Sequence, residues 1–352
     1  MAVVSLHIGI PKTATSYIQA WLHQNRRLLL RQGVYVPERP IFAHRMAVEH
    51  LQGGIWNDRP DLKEIRKVPL NTAHQSIANA LNSPGVATVI ISSEYYYYSN
   101  PAEVCVALRE QFGCDLNIVV YVRSQCPLLL SGYNQDVKRL AKVEPRPAPQ
   151  YQPLYDWSIL LDAWAKQVGK NRVKVISFDV SAREGTILRD FIASSCPTIS
   201  KEFSAGLFED VTYFNESLPA DLLEFKRIAN SWGELGLADF LEAVLQSGYV
   251  GPRFGVDPEE ARTWHALYEG SNRYVAREYF AASLEEIFPD SLSHKPGVDL
   301  EGKLPIETLA KLLALAIKRQ EEYDNAIEQR LRSLEGYVAK FQGPALGNGI
   351  DP

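Results

Sequence analysis

The sequence predicts an α/β protein: a parallel sheet flanked by helices, with a helical C-terminal extension. Three observations lead there. Four short runs in the first half are nearly continuous in apolar and β-branched residues. Helical patterns separate those runs, and from about Asn215 onward the chain reads as helix. Strands covered on both faces read as unbroken apolar runs, and strands that alternate with helices pair in parallel.

The strand runs are Val3–Ile8, Val86–Ser92, Asn117–Val122 and Val173–Phe178. The intervening helical patterns are Thr15–Leu30, roughly Asn71–Leu81, Pro127–Ala141 and Tyr155–Val168. The stretch Lys142–Pro153 carries four prolines and reads as a loop. Asn215 or Ser217 can cap a helix with Pro219 near its first turn, and another helix is expected from Pro258 to about Ala282. A long helix follows Pro305. Its apolar stripe runs Leu309, Leu313, Ala316, Tyr323, Ile327, Leu331, Leu334 and Val338. That spacing suits packing on the chain's own core or on a second subunit in a homo-oligomer. The expected organisation is an α/β core over residues 1–200, a helical part completing it over 201–285, and a helical extension over 286–352.

Bulk numbers narrow the class. Hydrophobic content of 46% and charged content of 22% are those of a globular protein. Net charge is −5, from 37 basic and 42 acidic residues without like-charge blocks, which speaks against nucleic acid as a partner. No segment approaches the ~20 apolar residues of a membrane span. The start shows no signal-peptide pattern, so a cytoplasmic location is expected. Cys105, Cys114, Cys126 and Cys196 lack metal-ligand spacing, so no metal is expected and the thiols should be reduced.

Parallel sheets bind ligands outside the carboxyl ends of their strands. The residues there are PKTATS after the first run, Ser93 and Glu94 after the second, Arg123 and Ser124 after the third, and Asp179 after the fourth. The first turn, HIGIPKTATSY over His7–Tyr17, suits phosphate. A helix start offers unsatisfied N–H groups and a favourable dipole. Lys12 adds charge, Thr13, Thr15 and Ser16 add hydroxyls, and Gly9 and Ala14 allow close backbone approach. The turn is P-loop-like, but it departs from GxxxxGK[ST]: Pro11, not Gly, precedes the lysine.

The segment HIGIPKTATSYIQ resembles the 5′-phosphosulfate loop of sulfotransferases that use 3′-phosphoadenosine 5′-phosphosulfate (PAPS), with Ala14 where that family usually has Gly. YVRSQCPLLLSGYNQDVK, over Tyr121–Lys138, is similar to the family's 3′-phosphate motif, an Arg after the strand and a Ser in the next helix. This form matches the bacterial branch that modifies polysaccharides or related glycans. The resemblance implies PAPS as co-substrate, held by Pro11, Lys12, Thr13, Ala14, Thr15, Ser16, Tyr17, Arg123 and Ser131. It also implies a carbohydrate or small glycosylated acceptor.

Sulfuryl transfer to an alcohol needs a base for the hydroxyl proton and positive charge on the leaving phosphate. Glu94 can be the first and Lys12 the second. His44, in FAHRMA, is a candidate second base or acceptor contact, alongside a plain polar role. Arg273, in EGSNRYVAREYF, can reach the donor or cap another helix. The tyrosines Tyr95–Tyr98 can line a sugar site or form a half-buried interface. The competing readings are a P-loop-type nucleotide kinase or NTPase, and a non-catalytic module that binds a phosphorylated partner.

Overall fold

The computed structural model describes residues 2–51, 59–196, 199, 217–233, 237–289, 297–300 and 303–341. Its sheet has five strands: β1 (Val3–Ile8), β2 (Val34–Tyr35), β3 (Thr88–Ser93), β4 (Leu116–Val122) and β5 (Val173–Ser177). All pairings are parallel, in the order β2-β3-β1-β4-β5. The order reverses at β1, which pairs with β3 on one side and β4 on the other. The topological switch point, where such sheets take ligands, is therefore beside β1.

Period-two alternation sends strand residues to two cores. Val4, Leu6 and Ile8 of β1, with Ile118, Val120 and Val122 of β4, face a cluster shared with α2 (Pro40–Ala47), α4 (Leu70–Leu81), α5 (Pro101–Phe112) and α7 (Trp157–Val168). Val119 and Tyr121 face the opposite cluster, built with α1 (Thr15–Arg31) and α9 (Ile187–Ser195). His7 sits on that second face, fully buried. Its Nδ1 lies 2.8 Å from Ser92 Oγ, and Phe191 packs edge-on to its ring. Burial lowers its pKa to about 3, so it is neutral.

The four strands expected from sequence are present, and the two-residue β2 joins them. The helix after β4 is α6 (Gln125–Arg139), starting two residues before Pro127. Further helices are α3 (Pro60–Arg66) and α8 (Phe178–Glu184). Beyond these lie α10 (Ala220–Ser231), α11 (Ala238–Gln246), α12 (Pro258–Val275), α13 (Leu284–Ile287) and α14 (Ile306–Phe341). Pro219 is the residue before α10 and caps it with no side-chain hydrogen bond, so Ser217 is not the cap; Asn215 lies outside the described residues. The helix expected to run to Ala282 leaves α geometry at Val275 and continues as one π-helical turn, Ala276–Phe280. Ala281, at φ 51°, ends it.

The chain divides into two compact units interleaved along the sequence. The first comprises Met1–Asp136, Pro145–Ser217 and Gly255–Gly297, and holds the whole sheet. The second comprises Val137–Glu144, Leu218–Phe254 and Val298–Pro352. Inside it, Asn230 Nδ2 donates to the carbonyls of Val137 and Lys142 at 2.9 and 3.0 Å. The buried Asp221 accepts from Tyr249 Oη and, at 3.0 Å, from Thr308 Oγ1. Among the described residues, no helix is long and apolar enough to cross a membrane.

Candidate active site

The turn from β1 into α1 is shaped by its own short side chains. Thr13 Oγ1 donates to the Ile10 carbonyl at 2.7 Å, and Thr15 Oγ1 donates to the same oxygen at 3.2 Å. Both threonines are buried. Their hydroxyls therefore fold the turn, whereas Ser16 is exposed at the helix start. Gly9 is required by close approach, because an added Cβ would stand 2.5 Å from Thr15 Cγ2. Ala14 lies in the left-handed region at φ 61°, and Lys12 at φ 66°. A non-glycine residue held there costs about 1–2 kcal/mol. Ala14 provides no side-chain cap and the first turn of α1 carries no acidic residue, which leaves that helix end suited to an anion.

The next strand end over, at β4, is tied to this loop. Arg123 Nη1 donates to the Lys12 carbonyl at 2.7 Å. Its guanidinium stacks over Phe178 at 4.7 Å, and its Nε lies 3.8 Å from Asp179 Oδ1. Asp179 Oδ2 accepts from Ser124 N–H at 2.8 Å and Ser124 Oγ at 2.6 Å. Trp157 Nε1 donates to the Arg123 carbonyl at 2.9 Å. The β4–α6 corner is thus fixed from three sides. Lys12 Nζ donates to Gln135 Oε1 at 2.9 Å, reaching across to α6. Ser131 stands one turn before Gln135, on the same face of that helix. Its side chain is half-buried.

On the other side of β1, β3 ends at Ser93 and Glu94 opens a 3₁₀ turn, Glu94–Tyr98. Gln19 Nε2 donates to Glu94 Oε2 at 3.2 Å and to the Ser92 carbonyl at 3.3 Å, linking the carboxylate to α1 one turn past the β1–α1 loop. His44, on α2, meets the buried Ser93 Oγ at 2.8 Å, and its Nδ1 lies 3.8 Å from Glu94 Oε2. Lys12, Arg123, Glu94 and His44 therefore stand at the carboxyl edge of three adjacent strands, β4, β1 and β3, with their immediate helices.

Other candidates go elsewhere. Arg273 is exposed and pairs with Glu269 one turn back, at 2.8 Å from Nε and 2.6 Å from Nη2. Its neighbours are the ones turned inward. Asn272 and Gln125 exchange amide hydrogen bonds of 2.8 and 3.0 Å, and Ser271 Oγ accepts from Ser158 N–H. Tyr95, Tyr96 and Tyr97 are buried in the core, which leaves Tyr98 as the half-buried member of the run. Tyr95 Oη donates to Asp61 Oδ2 at 2.7 Å, and burial pushes its pKa well above the usual phenol value. In the proline-rich loop, Arg146 pairs with Glu260, and Gln152 N–H donates to Tyr268 Oη, both on α12. Gln19 and Gln135 fall inside the two quoted motif segments but are given no role there, and neither is Asp179 as the partner of Ser124 and Arg123.

No family model matches the chain, and no curated protein matches it. A solved structure described as a sulfotransferase from Alicyclobacillus acidocaldarius is similar to it at 18% identity and a TM-score of 0.38, covering 68% of this chain and 95% of that one.

Proposed function

We propose that this chain is a sulfotransferase, moving the sulfuryl group of PAPS to a hydroxyl of a carbohydrate or glycosylated acceptor. One observation carries the reading: at the β1 switch point Arg123 donates to the backbone carbonyl of Lys12 at 2.7 Å, which brings two cationic residues from adjacent strand ends together beside an uncapped helix start. That arrangement suits a donor with phosphate at both its 5′ and 3′ sides. Lys12, Ser16 and the first turn of α1 hold the 5′ end, with Thr13, Thr15, Pro11, Ala14 and Tyr17 shaping that cradle. Arg123 and Ser131 take the 3′ phosphate.

In the transfer, the acceptor oxygen forms a bond to sulfur as the sulfur–oxygen bond to the 5′ phosphate breaks. Glu94 takes the hydroxyl proton, and Lys12 balances charge on the departing phosphate. Gln19 orients Glu94, and His44 stands behind it as a positioning or acceptor-contacting residue. The rest of the rate enhancement comes from alignment, as in phosphoryl transfer. Asp179, the acidic strand-end residue a Mg²⁺-nucleotide site would draw on, is already engaged by Ser124.

Thermal unfolding with adenosine 3′,5′-bisphosphate tests the reading. A ligand at a hundred times its Kd adds about 2.7 kcal/mol of stability, a shift of several degrees. No shift at millimolar bisphosphate overturns the proposal, and stabilisation by ATP with Mg²⁺ alone would favour a nucleotide kinase.

A further inference from the structure

We propose that the outer face of α14 is a self-association surface, through which two copies of this chain pair as a parallel two-stranded coiled coil. The helix has 36 residues, Ile306–Phe341. One side of its first turns packs inward: Thr308 and Leu312 are buried and Leu315 is half-buried. The apolar stripe lies elsewhere. Ile306 is 81% exposed, Leu309 42%, Leu313 63%, Ile317 52% and Ile327 42%. From Ala316 to Arg332 every described side chain is exposed, right round the helix. A lone helix in water is marginal without tertiary packing, and apolar residues left on it add nothing to its stability.

A seven-residue frame can be laid over the helix, with Gln320 as its polar core position up to Ile327 and Arg330 breaking it beyond, where the apolar stripe shifts to Leu331 and Val338. One core position reads Ile306, Leu313, Gln320, Ile327, Leu334 and Phe341, and the other reads Leu309, Ala316, Tyr323, Arg330 and Tyr337. The three heptads from Ile306 to Ile327, apolar at every core position but Gln320, reach the three or four that mark a coiled coil. The chain is its own best partner for two reasons. Gln320 Nε2 donates to Asp324 Oδ1 at 2.9 Å within the helix, and in register the Gln320 amides of two copies can exchange that bond for one with each other, a device that fixes register. The same register sets Arg319, at the position before one core residue, against Asp324 of the other copy, five residues on, twice per pair.

The full chain should run as a dimer in light scattering at ~100 μM, far above the micromolar Kd of a weak specific pair. The double variant Leu313→Asp/Ile327→Asp should run as a monomer that keeps the parent's near-ultraviolet circular dichroism and loses at most the helical signal of the exposed part of α14. Ile327→Cys should give a covalent dimer on oxidation that the parent chain does not, since paired core positions meet disulfide geometry. A monomeric parent chain, or a double variant that still dimerises, overturns the proposal. A dimer that fails to cross-link through position 327 overturns the parallel register.

Discussion

Ala14, with Lys12, carries backbone strain in the loop from β1 to α1. Glycine there would release an unfavourable left-handed conformation but would also gain freedom in the unfolded chain. Ala14→Gly should therefore raise stability in urea by up to about 1 kcal/mol, whereas Ala14→Val should lower it, since a branched side chain tolerates φ 61° poorly. For the proposed chemistry, Glu94→Gln should lower kcat for sulfate transfer by about 100-fold or more. Lys12→Ala should cost more, and should also weaken bisphosphate binding, because it removes charge from both ground and transition states. Untouched turnover in Glu94→Gln would remove Glu94 as the base. His7 makes a different prediction. Its folded pKa of about 3 lies below the unfolded value of 6.5, so the unfolded chain binds the extra proton between them. The stability it contributes is full above pH 6.5 and falls as the pH drops towards 3, by up to about 1.4 kcal/mol per pH unit. Urea midpoints across that window should fall more steeply in the parent chain than in His7→Leu; parallel curves would contradict it.

Neighbours on α12 separate a structural element from a surface ornament. Asn272 and Arg273 are adjacent, yet one closes a buried amide pair with Gln125 and the other an exposed ion pair with Glu269. Asn272→Ala should cost about 1–3 kcal/mol, by leaving Gln125 unsatisfied. Arg273→Ala should change stability by less than about 1 kcal/mol. Chemical denaturation distinguishes them. The strands were legible because strands covered on both faces have to be apolar throughout, and their ends marked Lys12, Glu94 and Arg123 as candidates, which the structure places at the carboxyl edge of β1, β3 and β4. Short helices gave less signal. α2, α3 and α5 bury small stripes, but each begins with proline at its first position, Pro40, Pro60 and Pro101, and that mark was available to read. The contacts of Gln19 and Gln135, though both residues lie in the quoted motifs, were illegible for a physical reason: an uncharged polar side chain on a helix looks the same whether it faces water, a carboxylate or an ammonium.

Across the whole molecule, the four cysteines report how closed the fold is. Cys105, Cys126 and Cys196 are buried, and burial pushes their thiols up to about 11, 12 and 12 respectively. Cys114 is half-exposed, its thiol also raised by burial and then by Asp115. A thiol reagent at pH 8 should titrate at most one cysteine in the folded chain and all four in denaturant, and prompt reaction of a second would show that a core is open. The bond from Arg123 to the Lys12 carbonyl, spanning 111 residues, has a consequence for any fragment study of the ligand. Under the proposed function, the guanidinium that would greet one end of the donor is also a brace for the loop that would hold the other. Half-ligands bearing a single phosphate should then have binding energies that do not sum to that of the whole. Arg123→Ala should likewise weaken even a half-ligand that carries only the 5′ phosphate, because it removes the bond to the Lys12 backbone carbonyl, which Lys12→Ala keeps.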